Sequence, residues 1–415
     1  MIKILNALQI KDADKHTIQN EPISSIDLME RAANAFVLQF HADYSEIDYP
    51  IHIFCGNGNN GGDGLAIARL LLHQKKEVTV YVFHAKKYTA DFSNNLIRLQ
   101  KKNKKCIHYI NDVSFIDNIP THSFIIDSIF GTGLNATINE DSLQYKIIEK
   151  INSRHFYQVI AVDIPSGLFA DQSTNSICIE ANKTYTFQFP KLSFLLPESG
   201  KYVNDFTVLD INLHPDIINK SHTLFYYITK KDIADKIKYR KKYSHKGTYG
   251  HALIIAGSYG KMGAAVLTSK ACLRSGCGLV TVHIPKCGYE IMQTFFPEAM
   301  CSIDKNAKYF SKNSEDGKYD TVAIGPGIGT HPTTIKAFEN LLAQVKTPII
   351  MDADALNILS KKKELQKLVP KNSILTPHPK EFERLVGAWT NDFERLTLQQ
   401  NFSKKNKVIV ILKGA

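Results

Sequence analysis

No stretch of this 415-residue chain is both long and apolar enough to span a bilayer, which takes about 20 consecutive apolar residues. The N-terminus, Met-Ile-Lys-Ile-Leu-Asn, has no uninterrupted apolar core before charge intrudes. Neither a spanning helix nor a secretory leader is expected, and the protein is expected to be cytoplasmic. Cysteine is sparse: seven residues, an odd number, none in a C-x-x-C spacing. They read as buried free thiols in a reducing compartment, with Cys272 and Cys277 in an apolar helical pattern. Acidic residues are outnumbered, 40 against 51 Lys and Arg, for a formal net charge of +11. Yet the lysines stand in scattered pairs and triples (Lys101-Lys102, Lys104-Lys105, Lys361 to Lys363) without interleaved aromatics. A single-strand nucleic-acid groove uses such aromatics as stacking platforms, so no nucleic-acid partner is expected. Solvated lysine faces and an anionic small ligand account for the charge.

What is present is ordinary globular material, 44% apolar and 22% charged, at a length that suggests two or three domains. Ser24 or Ser25 caps an early helix that carries Leu28, Met29, Ala32, Ala33 and Phe36 at helical spacing. Strand patterns at 51–54, 78–83, 123–126, 158–162 and 183–187 alternate with helices. That alternation argues an α/β fold with a parallel sheet covered on both faces. A second α/β unit is expected after about Leu213. It starts with a short strand, a helix and a connector over 223–244, then strands at 251–256, 321–324, 348–351, 373–375 and 408–412.

The most informative segment is Gly56-Asn57-Gly58-Asn59-Asn60-Gly61-Gly62-Asp63-Gly64, between the apolar run 51–55 and a helical pattern over 65–72. It reads as a glycine turn leading to a helix N-terminus, where exposed N–H groups and the helix dipole favour an anion. The asparagines and Asp63 add oxygens suited to a hard cation. Two further strand ends carry short oxygen-bearing side chains and glycine: Asp127-Ser128-Ile129-Phe130-Gly131-Thr132-Gly133-Leu134 and Asp163-Ile164-Pro165-Ser166-Gly167. Ligands of doubly wound folds bind at such carboxyl ends. An aspartate there is often only a cap, but three such turns in one unit point to a site.

On these three motifs, with Leu28 to Ala32 and Phe189-Pro190-Lys191 as context, residues 1–215 resemble the NAD(P)H-hydrate epimerase domain, the YjeF N-terminal domain, of Rossmann-like doubly wound fold. The resemblance implies a potassium ion on Asn60, Asp127 and Ser166. It also implies a hydrated NADH or NADPH held by Asn59, Asn60, Gly61, Gly62, Asp63, Gly131, Thr132, Gly133, Leu134, Asn135, Ala136, Thr137 and Asp163. Inverting the hydrated ring carbon requires a general acid/base, and Asp163, at a strand end beside the implied cation, is the candidate.

Residues 225–415 resemble the NAD(P)H-hydrate dehydratase domain, ribokinase-like in fold. The resemblance rests on His245-Lys246-Gly247, the run Gly257 to Ala264, and the G-P-G-I-G-T, D-A-D-A-L and T-P-H-P-K-E-F motifs in family order. It implies contacts from Ala264, Gly329 and His378 to the hydrate, a nucleotide segment opening at Lys413, Gly414 and Ala415, and ADP or ATP with Mg2+ as phosphoryl donor, ADP being favoured. The family's G-T-G-D turn beyond K-G-A is not in this sequence, so the chain is expected to be part of a longer protein, its dehydratase half incomplete. A homo-oligomer is expected. The rival readings are a ribokinase-like small-molecule kinase and a non-catalytic nucleotide-binding module.

Overall fold

The computed structural model describes residues 1–237, 239–313 and 319–414. It divides into two compact units, Met1–Ile237 and Lys238–Ala415. The first contains β1 (Ile2–Lys3), α1 (Ala7–Asn20), α2 (Ser25–Tyr44), β2 (Ile51–Cys55), α3 (Asn59–His73), β3 (Val78–Phe83), α4 (Ala90–Asn103), β4 (Ile107–Ile110), β5 (Phe124–Ser128), α5 (Leu143–Asn152), β6 (Gln158–Val162), β7 (Lys183–Phe187), α6 (Gly200–Val203), β8 (Asp205–Leu209), α7 (Pro215–Lys220), β9 (Tyr226–Tyr227) and α8 (Lys230–Ala234). Its seven-stranded sheet runs β4-β3-β2-β5-β6-β7-β8, every pair parallel. Ser24 caps α2 through a capping box with Asp27, and the face from Leu28 to Phe40 is buried. β1 pairs antiparallel with β9. That long-range pairing keeps residues through Ile237 with the first unit, farther along the chain than the sequence pattern suggests.

The second unit contains β10 (His251–Ile255), α9 (Met262–Arg274), β11 (Leu279–Ile284), α10 (Tyr289–Phe295), β12 (Met300–Ile303), β13 (Thr321–Ile324), α11 (Pro332–Gln344), β14 (Ile349–Met351), α12 (Asp354–Lys361), β15 (Ile374–Leu375), α13 (Pro379–Val386), α14 (Asp392–Asn406) and β16 (Ile409–Val410). Its sheet runs β12-β11-β10-β13-β14-β15-β16, again all parallel. In both sheets the strand order reverses at one place, between β2 and β5 and between β10 and β13. The crevice of such a sheet opens at that switch point.

Two expectations are corrected. The segment 56–64 is not a turn throughout: α3 begins at Asn59, so Asn59 to Gly64 form its first turns. None of these glycines has positive φ. They serve close packing instead: a Cβ on Gly64 would lie 2.4 Å from Ser128 Oγ, and one on Gly61 would lie 2.0 Å from Gly56 O. Alanine at 61 would gain about 1 kcal/mol of helix propensity. The clash is with a backbone atom that cannot rotate away, and overpacking of this kind costs about 3 kcal/mol. Gly61→Ala is therefore expected to lose about 2 kcal/mol net in a urea melt, and unchanged stability would refute the packing role.

The cysteines are free thiols, but only Cys55, Cys106 and Cys178 are buried; Cys272, Cys277, Cys287 and Cys301 are half-buried. Cys277 lies outside the helical segment, because α9 stops at Arg274 and Gly276 takes φ +107°. Among the described residues no helix is long and apolar enough to cross a membrane.

Candidate functional site

At the first switch point, β5 ends in Asp127 and Ser128, and α3 starts one turn beyond β2. Asp127 is buried; its Oδ1 accepts from Ser166 Oγ (2.5 Å) and Ile129 N (3.2 Å), and its Oδ2 from Ser166 N (2.7 Å). Burial pushes this carboxyl up to about 6, with the Ser166 and Ile129 hydrogen bonds pulling it down. Asn60 is buried and donates from Nδ2 to Val162 O (2.8 Å). Its Oδ1 is buried without a hydrogen-bond partner. An unmet carbonyl oxygen in a protein interior is costly. Here it stands on the α3 turn against which Gly131 packs, a Cβ on Gly131 being 3.1 Å from Asn60 Cβ. Amide, carboxylate and hydroxyl oxygens without thiol or imidazole are the donor set of a hard cation.

Asp163 follows β6 directly and takes φ +68°, a left-handed conformation uncommon for a residue with a Cβ. Its described side-chain hydrogen bonds fall on Oδ1: from Lys191 Nζ (2.6 Å), Phe187 N (3.0 Å) and Thr186 Oγ1 (3.2 Å). Lys191 is fully buried, and its ammonium also donates to Thr186 Oγ1 (2.8 Å) and Phe189 O (3.1 Å). Three donors thus meet three acceptors, the condition for a tolerable buried charge. Burial and the Asp163, Asp14 and Asp91 charges raise Asp63 well above the usual carboxylate range. The loop Gly131 to Thr137 starts against Asn60 and ends at a cavity of about 510 Å³, lined by Thr137, Glu140, Tyr145, Asn175 and Tyr202 among others. Asp163 and Asn60 do not line that cavity.

In the second unit, Ala264 lies in the first turn of α9, against Gly327, whose Cβ would be 2.9 Å from Ala264 Cβ. Gly325, Gly327 and Gly329 all take positive φ, which a G-P-G-I-G turn obtains from glycine at least cost. Ser258 Oγ donates to Gly327 O (2.7 Å), and Gly329 N donates to Asp354 Oδ2 (2.9 Å), with Lys261 Nζ 3.7 Å from the same oxygen. His378 caps α13 through Nδ1, which accepts from Glu381 N (3.3 Å). Lys413 N donates to Pro377 O (2.9 Å) and its Nζ to Asp352 Oδ1 (2.9 Å). Ala353, between the two aspartates, sits at φ +49°. Gly414 is at the described end of the chain; Ala415 lies outside the described residues.

The structure thus joins Asp127 to Ser166 directly and Asn60 to the same strand ends. It places Ala264 with Gly329 through Gly327 and Ser258, and His378 with Lys413 through Pro377. Sequence reasoning missed Lys191 as a site residue, although it stood in the quoted F-P-K context, and missed Asp14, Lys261, Asp352 and Asp354. The D-A-D run after an apolar strand was the available signal for the last two.

Residues 25–193 match the family described as YjeF-related protein N-terminus, and residues 252–415 match the family described as NAD(P)H-hydrate dehydratase. The bifunctional NAD(P)H-hydrate repair enzyme of Moorella thermoacetica is 31% identical over 99% of this chain and 80% of its own length. The corresponding enzyme of Escherichia coli is 30% identical over 94% of this chain and 73% of its own. Among solved structures, the ADP/ATP-dependent NAD(P)H-hydrate dehydratase from Bacillus subtilis, co-crystallised with ATP and Mg2+, has 28% identity and a TM-score of 0.38 over 45% of this chain and 65% of that one.

Proposed function

This chain belongs to the family of bifunctional NAD(P)H-hydrate repair enzymes, and from that premise we propose that its first unit interconverts the R and S hydrates of NADH and NADPH. The second unit dehydrates the S form at the expense of ADP. The observation that carries the first half is the convergence on one switch point of Asn60, Asp127 with Ser166, and Asp163 held on Lys191. Neither a small-molecule kinase nor a binding module without turnover accounts for a strained aspartate paired with a buried lysine there.

Hydration places a hydroxyl on C6 of the nicotinamide ring, beside the ring nitrogen. Epimerisation requires that hydroxyl to leave and return, or the ring to open and close, and either route moves a proton. Asp163 accepts or returns it; Lys191 fixes the Oδ1 edge of the carboxylate and so orients the other oxygen. The Asn60 carbonyl, the Asp127 carboxylate and the Ser166 hydroxyl would hold a potassium ion, which would supply positive charge to the site. In the second unit Ala264, Gly329 and His378 contact the hydrate. Lys413 and Gly414 open the nucleotide segment, and Asp352, whose Oδ1 accepts from Lys413 Nζ, would offer a carboxylate to a magnesium ion brought with the nucleotide.

The test follows purified R hydrate of NADH to the S form by epimer-resolving chromatography, with and without potassium. Conversion faster than the spontaneous rate, and faster with potassium, is expected; conversion at the background rate would sink the epimerase reading. The ion requires ionised Asp127, whose carboxyl is raised to about 6. The potassium concentration for half-maximal activation is therefore expected to rise as pH falls through about 6, and a value constant from pH 5 to 8 would remove Asp127 from the ion site.

A further inference from the structure

Inversion at one carbon by loss and return of a hydroxyl sets a demand that a single carboxylate does not meet. The leaving oxygen must be protonated on one face of the ring while the incoming water is deprotonated on the other. We propose that Asp14 on α1 is the second acid–base carboxyl of the first unit, working with Asp163 across the C6 centre. The inference rests on the epimerase reading above.

Helix α1 is tied down near both ends. Ala7 N donates to Asp171 Oδ2 (2.7 Å), and His214 N donates to Thr17 Oγ1 (3.0 Å). Between them Ala13 is fully buried, in one cluster with Leu5, Leu28 and Phe189. Phe189 supplies the carbonyl that accepts from Lys191, so α1 packs on the segment that carries the lysine. Asp14 follows Ala13. It is half-buried, in the middle of a helix where aspartate is intrinsically unfavourable. Among the described residues its carboxylate takes part in no hydrogen bond or ion pair, so capping or bridging does not account for it. The groups whose charges it shares are Asp163 after β6, Lys191 after β7 and Asp63 on α3. Asp91 on α4 acts on Asp63, and Asp171 also feels Lys191.

One ammonium cannot neutralise the carboxyls that surround it, so a proton stays in the cluster. Burial, then the Asp163 charge, pushes Asp14 up to about 7, with Lys191 pulling it down. Asp14 is thus placed to hold or release a proton near neutral pH. In the R-to-S direction Asp14 gives its proton to the C6 hydroxyl. The C6–O bond breaks, its electron pair leaves on water, and the ring-nitrogen lone pair closes an N1=C6 double bond. A water on the opposite face then attacks C6, the π pair returns to nitrogen, and the water's proton passes to Asp163. The two carboxyls have exchanged states, and the reverse path runs S to R. A near-thermoneutral reaction that must run both ways is served by two carboxyls sharing one proton.

The test uses the full chain and Asp14→Asn, measuring R-to-S conversion from pH 5.5 to 9 at saturating potassium. The wild type is expected to lose activity as pH rises through about 7. The variant should be at least about 100-fold slower, a typical acid–base contribution, and its residual rate should lack that alkaline limb. Because the raised Asp14 carboxyl binds its proton more tightly in the fold, its stabilisation is lost as pH rises through about 7. Asp14→Asn should thus melt no lower than the wild type at pH 8. A variant that keeps the wild-type rate, or a slow one that keeps the alkaline limb, overturns the proposal. If Asp14→Asn does not fold, Asp14→Glu replaces it: a displaced limb supports the role and an unmoved one refutes it. A wild type no faster than the spontaneous reaction would instead strike the epimerase reading itself.

Discussion

Asp163→Asn is expected to slow epimerisation by about 10²–10⁴-fold, the range for removing a positioned general acid or base, while the hydrate's KM changes little. Asparagine keeps an Oδ1 to accept from Lys191, Phe187 N and Thr186, which now meet at that oxygen. The substitution therefore removes the proton-accepting oxygen without dismantling the turn. The φ of +68° is also tolerated, since Asn and Asp are the residues that most readily enter the left-handed region after glycine. A strained residue persists only where its surroundings over-determine it; here they are a backbone bond from Asp163 N to Tyr185 O (2.8 Å) and the three donors on Oδ1. The measurement is single-turnover conversion of R hydrate in the presence of potassium, with thermal melting of both proteins beside it. An Asn variant that melts like the wild type and converts hydrate as fast would take Asp163 out of the chemistry and leave it as a partner for Lys191.

Most strands inside each sheet were legible, but β11, an interior strand of the second sheet and almost fully buried, was not read. The patterns at 78–83, 158–162, 183–187 and 321–324 coincide with β3, β6, β7 and β13, because runs rich in β-branched and aromatic residues carry their own strand signal. β4 was not, since its His108 and Tyr109 are exposed on an edge. The two residues of β1 gain meaning only by pairing with β9, more than 220 positions away. The early start of α3 was hidden for a related reason. Gly61, Gly62 and Gly64 are poor helix formers in isolation, and only the closeness of β2, β5 and α2 makes glycine the residue that fits. The strand-end aspartates announced themselves, as oxygen-bearing side chains after apolar runs do. Lys191 and Asp14 did not. Lysine is almost never fully buried, so nothing local marks one that is, and Asp14 sits in a helix 149 positions before Asp163 in the numbering.

Lys191→Met is expected to destabilise the first unit by about 3–5 kcal/mol at pH 8, as removal of one partner from a buried ion pair does. Methionine fills much of the lysine's volume, so the loss is electrostatic rather than a cavity. Thr186 Oγ1 loses its donor, Phe189 O keeps only the longer bond from Thr186 Oγ1 (3.3 Å), and Asp163 loses its only described cation. The Asp14 and Asp63 carboxyls, both already raised with Asp163 among the causes, then face that charge without the ammonium that had opposed it at Asp14. The fold of the variant therefore binds protons more tightly than its unfolded chain. Its stability falls as pH rises through about 7, where Asp14 already titrates, and recovers as these carboxyls protonate below it. Urea melts of wild type and variant at pH 5 and pH 8 check this. The gap should be several kcal/mol at pH 8 and visibly narrower at pH 5. A gap of the same size at both pH values would mean that Lys191 contributes packing alone, and that no shared proton is held between Asp14 and Asp163.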